Sequence, residues 1–288
     1  MKLFPIIDHE PSLLPEGDWS LIWADEFDGD TLDRSKWDFR LNFWGSPFSA
    51  YTDKGVLLRN GCVELHRTER DGYYVSPQLQ TGTNSFDLPI GDKASPFDQT
   101  VARLGQYQPA KFEHRYGYYE VRCKFPKEPD VMWSAFWLQS ASIGTRYDPA
   151  WSGIENDIVE NFAINQGSTG NILYGYGAPF IDDGRVTYSF DKTPDGFHRF
   201  GMLWTEAEYV FYCDGKEVSR CNQGVSRVPQ FLLLTTEVRG YRKKKPLKVG
   251  EYSVDYSGTG VGTIAKRYDH FTDDAFIVDY VRVFDLQK

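Results

Sequence analysis

The sequence predicts an all-β protein, a β-sandwich jelly roll of two antiparallel sheets with a concave cleft. Short runs of alternating apolar and polar residues recur along the chain, bounded by Gly, Pro, Asn and Asp, and no helix-period stretch exceeds about three turns. A strand with one apolar face must bury that face against another sheet, and Greek-key pairing of two sheets satisfies this for many strands at once. The 288 residues suffice for one large core, and no repeat or linker interrupts them, so residues 1–288 read as a single domain.

The elements follow in order. Val56 to Thr68 (VLLRNGCVELHRT) reads as two strands around Asn60-Gly61, a strong hairpin signal because both central residues accept positive φ. YGYYEVRCKF sets Tyr119, Val121, Cys123 and Phe125 on a dry face and Tyr118, Glu120, Arg122 and Lys124 on a wet one. A second hairpin spans Glu206 to Arg220 and turns at Asp214-Gly215, and alternation returns from Phe276 in FIVDYVRVFDL. The stretches 81–107 and 238–263 are long for turns, a length usually associated with function or mobility. Cys62, Cys123, Cys213 and Cys221 lack paired metal-ligand spacing. The hairpin register sets Cys221 across from Tyr209 or its neighbours rather than Cys213, so free thiols are expected.

Composition narrows the partners. Aromatic residues make up 16% of the chain, with 8 Trp, 18 Tyr and 20 Phe, more than a core alone requires. That surplus suits a β-protein that stacks flat ligands. A formal net charge of -9 argues against nucleic acid or an anionic membrane as the main partner. The basic run from Arg239 to Lys248 reads as a solvated loop, with an acidic or sulfated ligand as its alternative. No apolar stretch is long enough to span a membrane. The opening residues lack the apolar core and cleavage site of a signal peptide, as expected of an intracellular protein or an exported one whose signal has been removed. Nothing suggests an obligate partner, and a monomer is expected.

The most informative segment is WSGIENDIVENF, Trp151 to Phe162, which carries Glu155, Asp157 and Glu160 inside an apolar, strand-like run. Strand period puts Glu155, Asp157 and Val159 on one face and turns Glu160 away. A β-bulge between Asp157 and Glu160 would return Glu160 to the face of its partners. Two carboxyls on one face, roughly 5–5.5 Å apart, are what a retaining glycosidase needs for its nucleophile and acid/base. Three acids so close cannot all ionise freely, so one proton is held back for a leaving group. An arbitrary three-acid strand is more often a salt-bridged edge or a calcium site. Trp133, Trp137 and Trp151, immediately upstream, favour sugar chemistry, although each alone is an ordinary core residue.

Glu155-Asn156-Asp157-Ile158-Val159-Glu160 resembles the signature of glycoside hydrolase family sixteen, Glu, any residue, Asp, two residues, Glu. Four further stretches resemble the family in the same order: Trp23 to Trp37, Tyr116 to Ser140, Asp195 to Val218 and Asp279 to Phe284. The resemblance implies a β-jelly roll that cleaves internal β-linkages of glucans or galactans with retention. It also implies that Glu155 is the nucleophile, Glu160 the acid/base and Asp157 the residue that tunes the nucleophile. Trp133 and Trp151 match cleft-lining positions on the donor side, and Trp137 its floor. Many members bind calcium away from catalysis, and by resemblance the ligands here would include Asp279, with backbone oxygens near Glu26 and Gly61. No cofactor is expected for catalysis.

Three positions depart from the family pattern. Asn156 stands where an aliphatic residue is usual, Tyr174 where glucan-cleaving members tend to carry a substrate-binding His, and Thr236-Glu237 where laminarinases have an Asn-rich strand. Tyr174, Glu237 and Arg115 are therefore candidate substrate contacts, Glu237 on the acceptor side and Arg115, with Arg239 and Arg242, toward an acidic or sulfated chain. A surface or charge-paired role is the plain alternative for each. The expected function is retaining endo-hydrolysis of a polysaccharide, a β-1,3-containing glucan or a galactan. Transglycosylation at the same site and a non-catalytic carbohydrate-binding jelly roll are the alternatives.

Overall fold

The structure is a computed structural model that describes residues 1–40, 51–83, 109–127, 132–174, 181–238, 253–254, 264–265 and 274–287. Most of the two long stretches around 81–107 and 238–263, and the basic run with Arg239 and Arg242, lie outside the described residues. In chain order the first strands are β1 (Lys2–Ile6), β2 (His9–Leu14), β3 (Trp19–Asp25), β4 (Asp38–Phe39), β5 (Tyr51–Thr52), β6 (Val56–Arg59) and β7 (Cys62–His66). β8 (Thr68–Arg70), β9 (Tyr73–Gln80), β10 (Gly117–Lys124) and β11 (Met132–Gln139) lead to a one-turn helix, α1 (Pro149–Ser152). There follow β12 (Glu155–Asn161), β13 (Gln166–Leu173), β14 (Ile181–Ser189), β15 (His198–Trp204), β16 (Tyr209–Cys213), β17 (Lys216–Cys221) and β18 (Phe231–Val238). β19 (Ser253–Val254), β20 (Ile264–Ala265) and β21 (Ala275–Leu286) complete them.

Two large sheets stack face to face, as the alternation requires. An eight-stranded sheet runs β17-β16-β15-β10-β21-β7-β6 with β3 beside β21, and a nine-stranded sheet runs β14-β13-β12-β11-β18-β9-β4 with β5 and β8 beside β9. Tyr119, Val121 and Cys123 of β10, Phe200 and Met202 of β15 and Val281 and Val283 of β21 face Phe136 and Leu138 of β11, Ile158 and Val159 of β12 and Leu232 and Leu234 of β18 in one buried cluster. This is the jelly-roll sandwich expected, with its core between the sheets.

Both hairpins turn where the sequence places them. Asn60 and Gly61 have φ of 56° and 67°, and Asp214 and Gly215 have 46° and 77°, the left-handed pair that a two-residue hairpin demands. Tyr209 pairs with Cys221, and all four cysteines are free, as the register implies.

The outer face of β10 is not wet. Tyr118 and Glu120 are buried because the β1–β2 hairpin lies over them, and Arg122 because it sits over the Phe197 ring between Asp279 and Asp195. Leu13 donates its backbone N–H to Glu120 Oε2 at 2.9 Å, Arg282 Nη1 reaches the Glu10 carbonyl at 2.7 Å and Ser12 Oγ at 2.9 Å, and Arg199 Nε reaches the Pro11 carbonyl at 3.0 Å. Leu14, Trp19, Tyr118 and Phe284 close an apolar cluster beside them. Nothing local in residues 2–14 says that they cover this face, so alternation alone assigned it to solvent.

Burial pushes the Glu120 carboxyl up to about 7, against hydrogen bonds from Tyr280, Leu13 and Ser12 that favour its charged form. Between its ordinary range and about 7 the folded protein holds a proton that the unfolded chain releases, so stability falls as pH rises through this window. Glu120→Gln, which mimics the protonated acid, is expected to remove that decline, a few kcal/mol at ~1.4 kcal/mol per pKa unit. Urea denaturation from pH 5 to 8 measures it, and an unchanged slope would refute the assignment.

Candidate active site

The site is built by a register shift in β12. Against β11, Glu160 pairs with Ala135, Val159 with Phe136 and Asp157 with Trp137, which leaves Ile158 without a partner. Against β13, Asp157 pairs with Gly170 and Glu160 with Ser168, again one residue more on β12. This is the expected bulge, and its driving force is visible. Ile158 and Val159 both enter the sandwich core at 0% exposure, while Asp157 and Glu160 emerge on the opposite face beside Trp137 and Ala135.

Trp133 stands on that same face and donates its indole N–H to Glu160 Oε1 at 2.9 Å. Trp137 donates to Thr235 Oγ1 at 3.0 Å, and the Arg40 guanidinium lies 5.3 Å from its ring centre. Glu237 pairs with Trp133 across β18 and receives the Tyr51 hydroxyl at 3.5 Å. Tyr174, immediately after β13, donates its hydroxyl to Glu155 Oε2 at 3.3 Å while its ring packs with Ile143 and Ile172. Of the candidate side chains, Trp133, Trp137, Tyr174 and Glu237 therefore gather around the three acids.

Trp151 and Arg115 sit differently. Trp151, on α1 ahead of β12, is 46% exposed, with the Arg227 guanidinium 5.3 Å from its ring centre. Arg115 is exposed and donates to the Arg227 carbonyl at 3.1 Å while lying over the Tyr116 ring. Its contacts are with this arginine-tryptophan group and not with the acids.

Arg185 of β14 was not singled out by the sequence. Its Nη1 meets Glu160 Oε2 at 2.6 Å, its Nη2 meets Asp157 Oδ2 at 2.8 Å, and its Nε meets Asp182 Oδ1 at 3.1 Å. Only the pairing of β14 with β13 brings it there, and no motif marks that pairing. Burial, then the charges of Glu160 and Glu155, push the Asp157 carboxyl well above the ordinary carboxylate range despite Arg185. Asp157, at 2% exposure, is the most buried of the three acids.

Asn156, between Glu155 and Asp157, points into the core and is satisfied there. Its Nδ2 donates to Asn171 Oδ1 at 2.7 Å, its Oδ1 accepts from Gln230 Nε2 at 2.7 Å, and Gln230 Oε1 accepts from the Ile154 backbone at 3.2 Å. A buried amide network thus ties the start of β12 to the segment before β18.

The residues proposed for calcium are engaged by guanidinium groups. Arg122 Nη1 meets Asp279 Oδ2 at 2.7 Å, and Arg282 grips both oxygens of Glu26 at 2.8 and 2.7 Å. Gly61 forms the β6–β7 turn. Among the described residues no three metal-binding side chains converge. Asp279, the one side-chain ligand expected, is held by Arg122, whereas the ligands expected near Glu26 and Gly61 are backbone oxygens; no role is derived for an ion here.

An all-β sandwich with paired carboxyls beside tryptophans on one face defines a glycoside hydrolase. Residues 90–258 match the family model described as Glycosyl hydrolases family 16, and the chain belongs to that family. It is 26% identical to Beta-porphyranase B of Phocaeicola plebeius over 85% of this chain and 84% of that protein. It is 31% identical to the endo-1,3-1,4-beta-glycanase ExsH of Rhizobium meliloti over 71% of this chain but only 42% of that protein. The catalytic domain of the Thermotoga petrophila laminarinase has the same fold, with a TM-score of 0.63 at 22% identity over 95% of this chain and 100% of that chain. The protein is accordingly an endo-acting β-glycosidase.

Replacing Asn156 by Leu, the type of residue more usual at this position, is expected to leave Asn171 and Gln230 with buried, unmet hydrogen-bonding groups. The loss is ~1–3 kcal/mol for each group stranded. Chemical denaturation measures it, and a midpoint equal to the parent protein's would show that the network contributes nothing.

Proposed function

We propose that the chain cleaves internal β-linkages of a polysaccharide, a β-1,3-containing glucan or a galactan, with retention of configuration. The observation that carries this reading is the bulge that sets Asp157 and Glu160 on one face, with Trp133 hydrogen-bonded to Glu160. In the first step the Glu155 carboxylate attacks the anomeric carbon and the glycosidic C–O bond breaks as Glu160 gives its proton to the departing oxygen. In the second, Glu160 takes a proton from water, the water oxygen attacks the anomeric carbon, and the bond to Glu155 breaks. Asp157, whose carboxyl is pushed toward its neutral form by burial and by the two glutamates, limits the negative charge around the nucleophile.

Trp137 and Trp133 supply aromatic surface near the acids, and Glu237 and Tyr174 supply polar contacts at its two sides. The supported role of Tyr174 is at the nucleophile, whose carboxylate its hydroxyl contacts. Trp151 and Arg227 form an exposed pair suited to a sugar further along the chain. Residues 1–288 act as one catalytic domain, and no cofactor takes part.

Reducing-end release from a panel of β-glucans, agar, porphyran, carrageenan and mucin-type glycans tests the reading. One polymer is expected to be cleaved, with Glu155→Gln and Glu160→Gln each lowering the rate about 10²–10⁴-fold or more. Azide added to Glu155→Ala should yield a glycosyl azide of inverted configuration, and added to Glu160→Ala one of retained configuration. Binding without cleavage by the parent protein across the panel would favour the carbohydrate-binding alternative.

A further inference from the structure

β14 is the edge strand of the nine-stranded sheet, two strands away from the acids. A side chain on it reaches β12 only if β13 leaves room. Gly170, opposite Asp157, provides that room: a Cβ built there would stand 2.7 Å from the Arg185 Cα and 3.0 Å from its backbone nitrogen. The pairing of β13 with β14 shifts register at this same place, between Thr169 and Asn171. A glycine gap, a register shift and an arginine thus coincide beside the acids, and the guanidinium divides its donors between two of them.

We propose that Arg185 is the positioning residue of the acid/base, holding Glu160 beside Asp157 from across Gly170 and setting the pH range over which the site donates a proton. The inference rests on the assignment of Glu160 as acid/base. Trp133 holds one oxygen of Glu160 and Arg185 the other, so the carboxyl is fixed from both sides before substrate arrives. A guanidinium favours the ionised form of its partner, which is the form left on Glu160 once the leaving group has been protonated. Arg185 therefore stabilises the product of proton transfer, and Asp157 accepts from its other terminal nitrogen. The titratable side chains placed around this contact are Glu155, Asp157 and Glu160 of β12, Asp182 of β14, Tyr174 after β13 and Glu237 of β18.

The test uses Arg185→Met and Arg185→Lys in the full chain, on the polymer that the panel identifies and on a dinitrophenyl glycoside of its repeating unit. A misplaced acid is expected to lower kcat on the polymer about 10²-fold for Arg185→Met, with KM changed less than about threefold. The dinitrophenyl leaving group needs no proton, so the rate of its burst release in the first turnover should fall less than about threefold. The pH profile of kcat/KM should move to higher pH in Arg185→Met, with Arg185→Lys between it and the parent. A raised KM with unchanged kcat would make Arg185 a substrate contact, and equal losses on both substrates with an unmoved pH profile would make it merely structural. Either result overturns the proposal. Parent-level cleavage by Glu160→Gln would instead remove the catalytic reading. Carboxyl-carbon NMR titration of the substrate-free proteins then decides on Arg185 alone: a shift of the Asp157 and Glu160 resonances to higher pH in Arg185→Met sustains its hold on the acids, and superimposable curves overturn it.

Discussion

The site depends on one packing constraint. Ile158 and Val159 are adjacent, and a regular strand would send them to opposite faces of the sheet. Both are buried in the sandwich core, and the backbone accommodates them by taking up one residue more than either neighbouring strand. Asp157 and Glu160 are thereby placed on one face. The chemistry is a by-product of satisfying two apolar side chains at once. Polar substitution of either would relax the reason for the bulge before it touched any acid.

Around that irregularity the molecule keeps unlike environments apart with little distance between them. The core side of β12 holds the Asn156, Asn171 and Gln230 amides in a closed network, and the other side holds three acids and a guanidinium. Amides tolerate burial when each donor and acceptor is met. Carboxylates tolerate it only with cations or protons: Arg185 contacts two of the acids, and burial pushes the Asp157 carboxyl toward its neutral form. The same rule governs the far face of the eight-stranded sheet, where Arg282 and Arg122 take the carboxylates of Glu26 and Asp279.

What was legible in the sequence was what repeats or sits close together along the chain. Alternation gave the sandwich, Asn60-Gly61 and Asp214-Gly215 gave two hairpins, and the spacing of Glu155, Asp157 and Glu160 demanded the bulge that the register contains. Contacts between distant segments were not legible. Arg185 meets the acids through a sheet pairing that no local pattern encodes, and residues 2–14 cover Glu120 through long-range hydrogen bonds. Arg115 is a further case, since its charge suggested a ligand and no local pattern announced its contact with the Arg227 carbonyl. The arginines on Glu26 and Asp279 were equally invisible, because a carboxylate in a sequence does not declare which cation it has found.

The position of β21 has a consequence for how the chain is made. Residues 275–286 lie between β10 and β7 and also pair with β3, so three strands synthesised much earlier share a partner that emerges late. During translation the edges of β7 and β10 stay unpaired, and exposed edges of apolar strands are where nascent chains associate with one another. The eight-stranded sheet can close only after this last long strand leaves the ribosome. The yield of soluble protein in a cell should therefore depend on chaperone capacity and on the speed of elongation more than on the stability of the finished sandwich.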